Sequence, residues 1–119
     1  MTFFTSDFED VRSGKVTDVY FERTLRVLEA KNIRKRVRME LMAKHLPSGW
    51  GVFTGLAEIL SLLEGFSVNV RSVPEGTVFQ PFQPVMDIEG DYNEFGMLET
   101  AGLGLMCQSS GISTKAARC

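Results

Sequence analysis

Val85-Met86-Asp87-Ile88-Glu89-Gly90-Asp91-Tyr92-Asn93-Glu94-Phe95 decides the fold. Val85 to Gly90 reads as a short strand, and Asp91 then stands where a helix N-cap belongs, with Glu94 at the third helical position to close a capping box. The stretch therefore predicts a strand delivered directly into a long helix. Phe95, Leu98, Gly102, Leu105 and Met106 are expected on that helix's packing face. Gly102 and Gly104 each weaken it by about 1 kcal/mol relative to alanine, so close backbone packing is expected there.

Upstream, Val68 to Val73 alternates as a second strand, Pro74-Glu75-Gly76 is turn chemistry, and Thr77 to Phe79 is a further short strand. Pro81 and Pro84 keep the following link out of any central ladder. Val37, Met39, Leu41 and Ala43 alternate with Arg36, Arg38 and Glu40, as in a half-buried strand with one charged face. Gly51 to Phe53 is a short extended piece, after which Thr54 is expected to cap a helix striped by Leu56, Ile59, Leu60 and Leu63 and closed by Gly65. Phe21, Leu25 and Leu28 predict a helix over 20–31 capped by Thr17 or Asp18, and Ser6 with Glu9 predicts a short opening helix ended by Gly14. Helix, strand, helix, strands, helix in this order reads as one α+β unit over 1–119.

Composition narrows the function classes. A 44% hydrophobic and 24% charged chain is ordinary for a folded domain, and a formal charge of −2 argues against a nucleic-acid partner. No apolar run is long enough to span a bilayer, no secretory leader opens the chain, and Cys107 and Cys119 make no disulfide framework, so no membrane partner and a reducing cytoplasm are expected. The apolar, small-residue-rich stretch from Gly102 to Cys119 reaches no closing turn, and the chain is expected to be the front part of a larger protein.

Several residues invite chemical readings. His45 stands without metal-ligand spacing and reads as a loop histidine. Lys31, Arg34, Lys35, Arg36 and Arg38 form a basic cluster that the net charge assigns to a solvated turn and strand face rather than a phosphate site. The segment Gly76 to Gly90 superficially resembles a lipoyl or biotinyl carrier hairpin, but Asp87 stands where the carrier lysine is required. Asp18 and Tyr20 flank the first turn of a helix. Two readings stay open for them: a capped, packed helix start, or an exposed tyrosine stacking a flat aromatic ligand whose carboxylate Arg23 holds. Thr114, Lys115 and Arg118 bring positive charge to the end of the last helix, either to oppose its dipole or to face a phosphate.

The ordered set Asp18-Val19-Tyr20-Phe21-Glu22-Arg23-Thr24, Phe53-Thr54-Gly55-Leu56, Leu62-Leu63-Glu64-Gly65, Pro74-Glu75-Gly76-Thr77, Gly90-Asp91-Tyr92-Asn93-Glu94-Phe95-Gly96, Glu99-Thr100-Ala101 and Cys107 to Lys115 resembles the N-terminal part of nicotinate phosphoribosyltransferases, especially the archaeal-type enzymes. The resemblance covers nearly the whole chain from Asp7. It implies the α/β sandwich N-terminal domain of a type II phosphoribosyltransferase, with the segment 92–119 leading toward a catalytic α/β barrel absent from these residues.

The implied reaction is pyridine nucleotide salvage: a glycosyltransferase, also classed as a ligase, joins nicotinate to phosphoribosyl pyrophosphate with Mg2+ and ATP, in a homodimer whose sites lie between subunits. By the resemblance, Tyr20 stacks on the pyridine ring and Asp18 accompanies it. Arg23 is a candidate for the substrate carboxylate, and Thr114, Lys115 and Arg118 lie toward the substrate end of the barrel. No catalytic or metal-binding residue is expected among the 119, which are expected to be inactive alone. Two alternatives accompany this reading. One is the N-terminal domain of a quinolinate phosphoribosyltransferase, disfavoured because Glu99 puts an acid where an arginine is expected. The other is a non-catalytic interaction module.

Overall fold

The computed structural model describes all residues except 1, 2, 4 and 5. The elements run α1 (Phe8–Arg12), α2 (Val19–Ala30), β1 (Arg36–Leu41), β2 (Gly51–Val52), α3 (Leu56–Leu63), β3 (Val68–Ser72), β4 (Val78–Phe79), β5 (Met86–Asp91), α4 (Tyr92–Phe95) and α5 (Glu99–Ala117). Single 3-10 turns occupy Pro47–Gly49 and Gly96–Leu98. β5 is the middle strand of an antiparallel sheet ordered β1-β5-β3, while β2 and β4 pair separately. The expected α+β architecture is the observed one.

β5 is central because its apolar side has neighbours on both flanks. Ile88 lies opposite Met39 of β1 and Val70 of β3, and Met86 opposite Leu41 and Ser72. Met86, Ile88, Leu41, Phe53, Ile59, Leu63, Phe95, Leu98 and Met106 form one buried cluster between the sheet and the helices. Gly90 lies opposite Val68, where an added Cβ would come within 2.7 Å of the valine Cγ1, so the register itself demands a glycine.

The opposite face of the sheet is charged and internally neutralised. Arg34 pairs with Asp91, Arg36 with Glu89 and Arg38 with Asp87, at 3.2, 2.9 and 2.9 Å. Arg71 of β3 reaches Asp87 at 3.0 Å from the other side. Three of the five residues of the basic cluster are thus committed to β5 acids, in agreement with the solvated-face reading. Asp87, far from carrying a cofactor, is held below the usual carboxylate range chiefly by its hydrogen bond from Arg38, with Arg71 adding to it.

Four local expectations are corrected. Asp7, not Ser6, caps α1, accepting from the Glu9 and Asp10 amides, because it sits one residue closer to the helix. Thr54 does not cap α3. Gly55 occupies the cap position at φ 95°, and the carboxylate of Glu75 accepts from the Gly55 and Leu56 amides at 2.7 and 2.9 Å. The α3 core residues are Ile59, Leu62 and Leu63, while Leu60 is 43% exposed, since α3 is covered on one side only. The segment from Tyr92 is not one helix, because Gly96 opens a 3-10 turn before α5 begins. Tyr92 covers Gly96 so closely that a Cβ there would meet its ring at 2.7 Å.

A fifth correction concerns α5. Among the described residues, no atom beyond the helix's own backbone and the chain neighbours lies within 4 Å of where a Cβ would sit on Gly102, Gly104 or Gly111, so none of them provides the close packing expected of the first two. An open apolar cavity of about 350 Å³ runs beside Gly102 and Leu103, floored by Leu41, Leu62 and Phe95. The accessible surface is 7467 Å², against about 6,450 Å² expected of a compact protein of this mass. α2 contributes to that excess, with Phe21 its only buried residue. No helix among the described residues is long and apolar enough to cross a membrane.

Candidate functional site

The start of α2 is pinned to the start of α5. Thr17 Oγ1 donates to the Met97 carbonyl at 2.8 Å, and Thr100 Oγ1 donates to Asp18 Oδ2 at 2.7 Å. Asp18 occupies the N-cap position with extended backbone angles, yet its carboxylate makes no capping bond to α2. It is used across the fold instead, so the simple capped-helix reading of Asp18 does not hold.

Two residues on, Tyr20 lies 57% exposed with its ring centroid 4.2 Å from that of buried Phe21. The phenol is pushed above its ordinary value, first by local desolvation and then by the charges of Asp18 and Glu99. It therefore stays a neutral hydroxyl at physiological pH. Tyr92 is pushed the same way by burial and by Glu99. Glu99 is half-buried at the first position of α5 and forms no ion pair with any described residue. Arg23, three residues after Tyr20 on the same helix, is exposed and likewise unpaired among the described residues. The start of α2 is thus an aromatic ledge, Tyr20 with Asp18 beside it and Arg23 one turn on, and Glu99 stands at the start of α5, to which the ledge is pinned.

The other three expected residues lie elsewhere. Thr114 follows Thr100 by fourteen positions, about 21 Å along α5. It is buried, and its hydroxyl accepts from the Val52 amide at 2.8 Å. Arg118 lies over the Trp50 ring at 4.6 Å and donates to the carbonyls of Pro47 and Trp50. Both side chains fasten the end of α5 to the β2 region. Lys115 alone of the three is exposed with no ion pair among the described residues.

Sequence reading missed the hydrogen bonds by which Thr17 and Thr100 hold the start of α2. Glu99-Thr100-Ala101 was visible only as a family-like block, and no local pattern pairs Thr100 with a residue 82 positions away. His45 is exposed near the mouth of a second cavity of about 240 Å³. Among the described residues no three or more His, Cys, Asp or Glu side chains converge as metal ligands. No chemical step is assigned to the Mg2+ and ATP implied by the resemblance.

Comparison with known proteins matches residues 18–110 to the family described as quinolinate phosphoribosyl transferase, N-terminal domain. A solved nicotinate-nucleotide pyrophosphorylase from Pyrococcus furiosus is 49% identical over 96% of this chain, with a TM-score of 0.89. Human nicotinic acid phosphoribosyltransferase is 24% identical over 86% of the chain with a TM-score of 0.76, a likeness of fold. NadC from Streptococcus pyogenes shares the fold at 20% identity over 84% of the chain, with a TM-score of 0.61. This chain covers 30%, 27% and 39% of those three proteins, so it corresponds to their smaller part. With 18–110 matched and nearly half its residues shared with one solved relative, the chain belongs to the quinolinate phosphoribosyl transferase N-terminal domain family, the N-terminal domain of type II phosphoribosyltransferases.

Proposed function

We propose that this chain is the N-terminal domain of a nicotinate phosphoribosyltransferase and supplies one wall of the substrate pocket across a homodimer interface. The complete cytoplasmic enzyme joins the ring nitrogen of nicotinate to C1 of phosphoribosyl pyrophosphate. Pyrophosphate leaves, nicotinate mononucleotide forms, and ATP and Mg2+ support the reaction.

The observation carrying this reading is the ledge. Tyr20 presents an exposed ring while Thr17 and Asp18 are pinned at 2.8 and 2.7 Å, so the face is oriented before any ligand arrives. A stacked pyridine would keep its in-plane nitrogen open to attack on the sugar carbon, and preset orientation lowers the entropy cost of reaching that geometry. Arg23 supplies one cation for one carboxylate. Thr114 and Arg118 keep their observed role of holding α5, and Lys115 is the member of that group left to meet a phosphate.

A quinolinate substrate is the second reading, favoured by the matching family's description and by the name of the 49%-identical relative. Against it, a dicarboxylate would meet Asp18 on the ledge and Glu99 at the adjoining start of α5. Competition between nicotinate and quinolinate in the complete enzyme separates the two. Tyr20→Ala is expected to raise the KM for nicotinate severalfold, in line with about 1 kcal/mol for one stacked aromatic pair. Unchanged KM and kcat would remove Tyr20 from the pocket.

A further inference from the structure

We infer that Glu99 is the residue of this domain that sets the substrate's charge: it rejects a ring with a second carboxylate and favours the positively charged ring of the product. The inference rests on the ledge reading above and deepens it.

Glu99 opens α5 next to Thr100, whose hydroxyl holds Asp18 at 2.7 Å, so both carboxylates are carried by the same junction of α2 and α5. Asp18 spends one oxygen on that hydroxyl. Glu99 has no ion-pair partner among the described residues, although the nearby sheet matches Asp87, Glu89 and Asp91 with arginines. Behind the desolvation that leads in both, its carboxylate helps to push the Tyr20 and Tyr92 phenols above their ordinary values. Glu99 also lines the mostly apolar cavity beside Leu98 and Leu103, whose other charged residues are Glu40 and Lys44. A half-buried carboxylate that forms no ion pair among the described residues, beside an aromatic face, is arranged for a cation.

The reaction makes one. When the ring nitrogen donates its lone pair to the sugar carbon and pyrophosphate departs with the electrons of the broken C–O bond, the neutral pyridine becomes a pyridinium. An aromatic face and a carboxylate both stabilise such a ring. The same carboxylate repels any second acid group on the substrate. Discrimination then comes from a repulsive element as much as from the attraction of Arg23.

The test uses the complete enzyme carrying this domain. Wild type, Glu99→Gln and Glu99→Arg are assayed for kcat/KM with nicotinate and quinolinate separately, and calorimetry measures their affinity for nicotinate mononucleotide. Glu99→Arg is expected to shift the nicotinate-to-quinolinate ratio at least tenfold toward quinolinate, about 1.4 kcal/mol. The near-isosteric Glu99→Gln is expected to weaken nicotinate mononucleotide binding at least threefold while leaving the melting temperature within a degree or two of wild type, roughly the effect of a surface substitution. A smaller ratio shift in folded Glu99→Arg, or unchanged product affinity in Glu99→Gln, overturns the role of Glu99. Failure of the underlying reading shows itself differently: wild type would then use quinolinate as well as nicotinate, or Tyr20→Ala would leave nicotinate kinetics untouched.

Discussion

The Thr100 hydroxyl donates to the Asp18 carboxylate at 2.7 Å and joins the first turn of the last helix to the residue that opens α2. α2 buries little else than Phe21, so this bond and its neighbour from Thr17 to Met97 orient the helix. Thr100→Val keeps the shape and removes the donor. Because the pair is exposed, its loss is expected to cost the fold about 1 kcal/mol or less. The larger effect belongs to the site: the KM for nicotinate in the complete enzyme should rise severalfold with kcat within twofold. Equal kinetics for Thr100→Val and wild type would show that α2 is positioned without this bond.

Glu75 caps a helix from the far side of a turn. Its Oε1 accepts from both the Gly55 and Leu56 amides, the first donors of α3, which has no capping side chain of its own. Glu75→Ala strands both, with a loss of about 1–2 kcal/mol expected by analogy with N-cap removal. Urea unfolding with an unchanged slope and a lowered midpoint is the signature to look for.

Gly104 and Gly111 have open space where a Cβ would sit. In the 119-residue chain, Gly104→Ala is expected to stabilise α5 by roughly 1 kcal/mol through helix propensity. In the complete enzyme the sign distinguishes two situations. A gain there too means that this face stays open, and a loss means that backbone from elsewhere packs onto it.

The charged sheet face carries a pH signature. The Asp87 carboxyl is held low by the hydrogen bonds and charges of Arg38 and Arg71, so its folded value lies below its unfolded one. The stability it contributes is present above the unfolded value of about 4 and is lost as pH falls through the folded value. Asp87→Asn should therefore flatten the decline in melting temperature below about pH 4. A decline as steep as wild type's would place the acid-sensitive groups elsewhere.

Periodicity and turn chemistry sufficed for most of the elements. The alternation of Val37, Met39 and Leu41 with arginines, the Pro74-Glu75-Gly76 turn and the cap at Asp91 are contacts within a few residues that local sequence carries, although Glu94, expected to close the capping box, instead accepts from the Ser67 amide at 3.3 Å. The residues alone left the tyrosine at the start of α2 open between a packed and an exposed position, whereas net charge anticipated that the basic cluster belongs to a charged face rather than a phosphate site. Tertiary structure alone decided three matters. It drew the α3 cap from Glu75 rather than Thr54, because a carboxylate brought in by the β3–β4 turn reaches two amides at once. It broke the last helix at Gly96, where the Tyr92 ring occupies the space a side chain would need. It separated the six expected site residues into two groups whose anchors on α5, Thr100 and Thr114, lie about 21 Å apart along the helix, since Thr114 and Arg118 bind the backbone near β2 while Asp18 is held by Thr100. The ring over Gly96 comes from only four residues upstream, but the cap and the separation depend on partners 19 to 82 positions away, and a hydrogen bond across such a distance leaves no periodic trace in the chain that makes it.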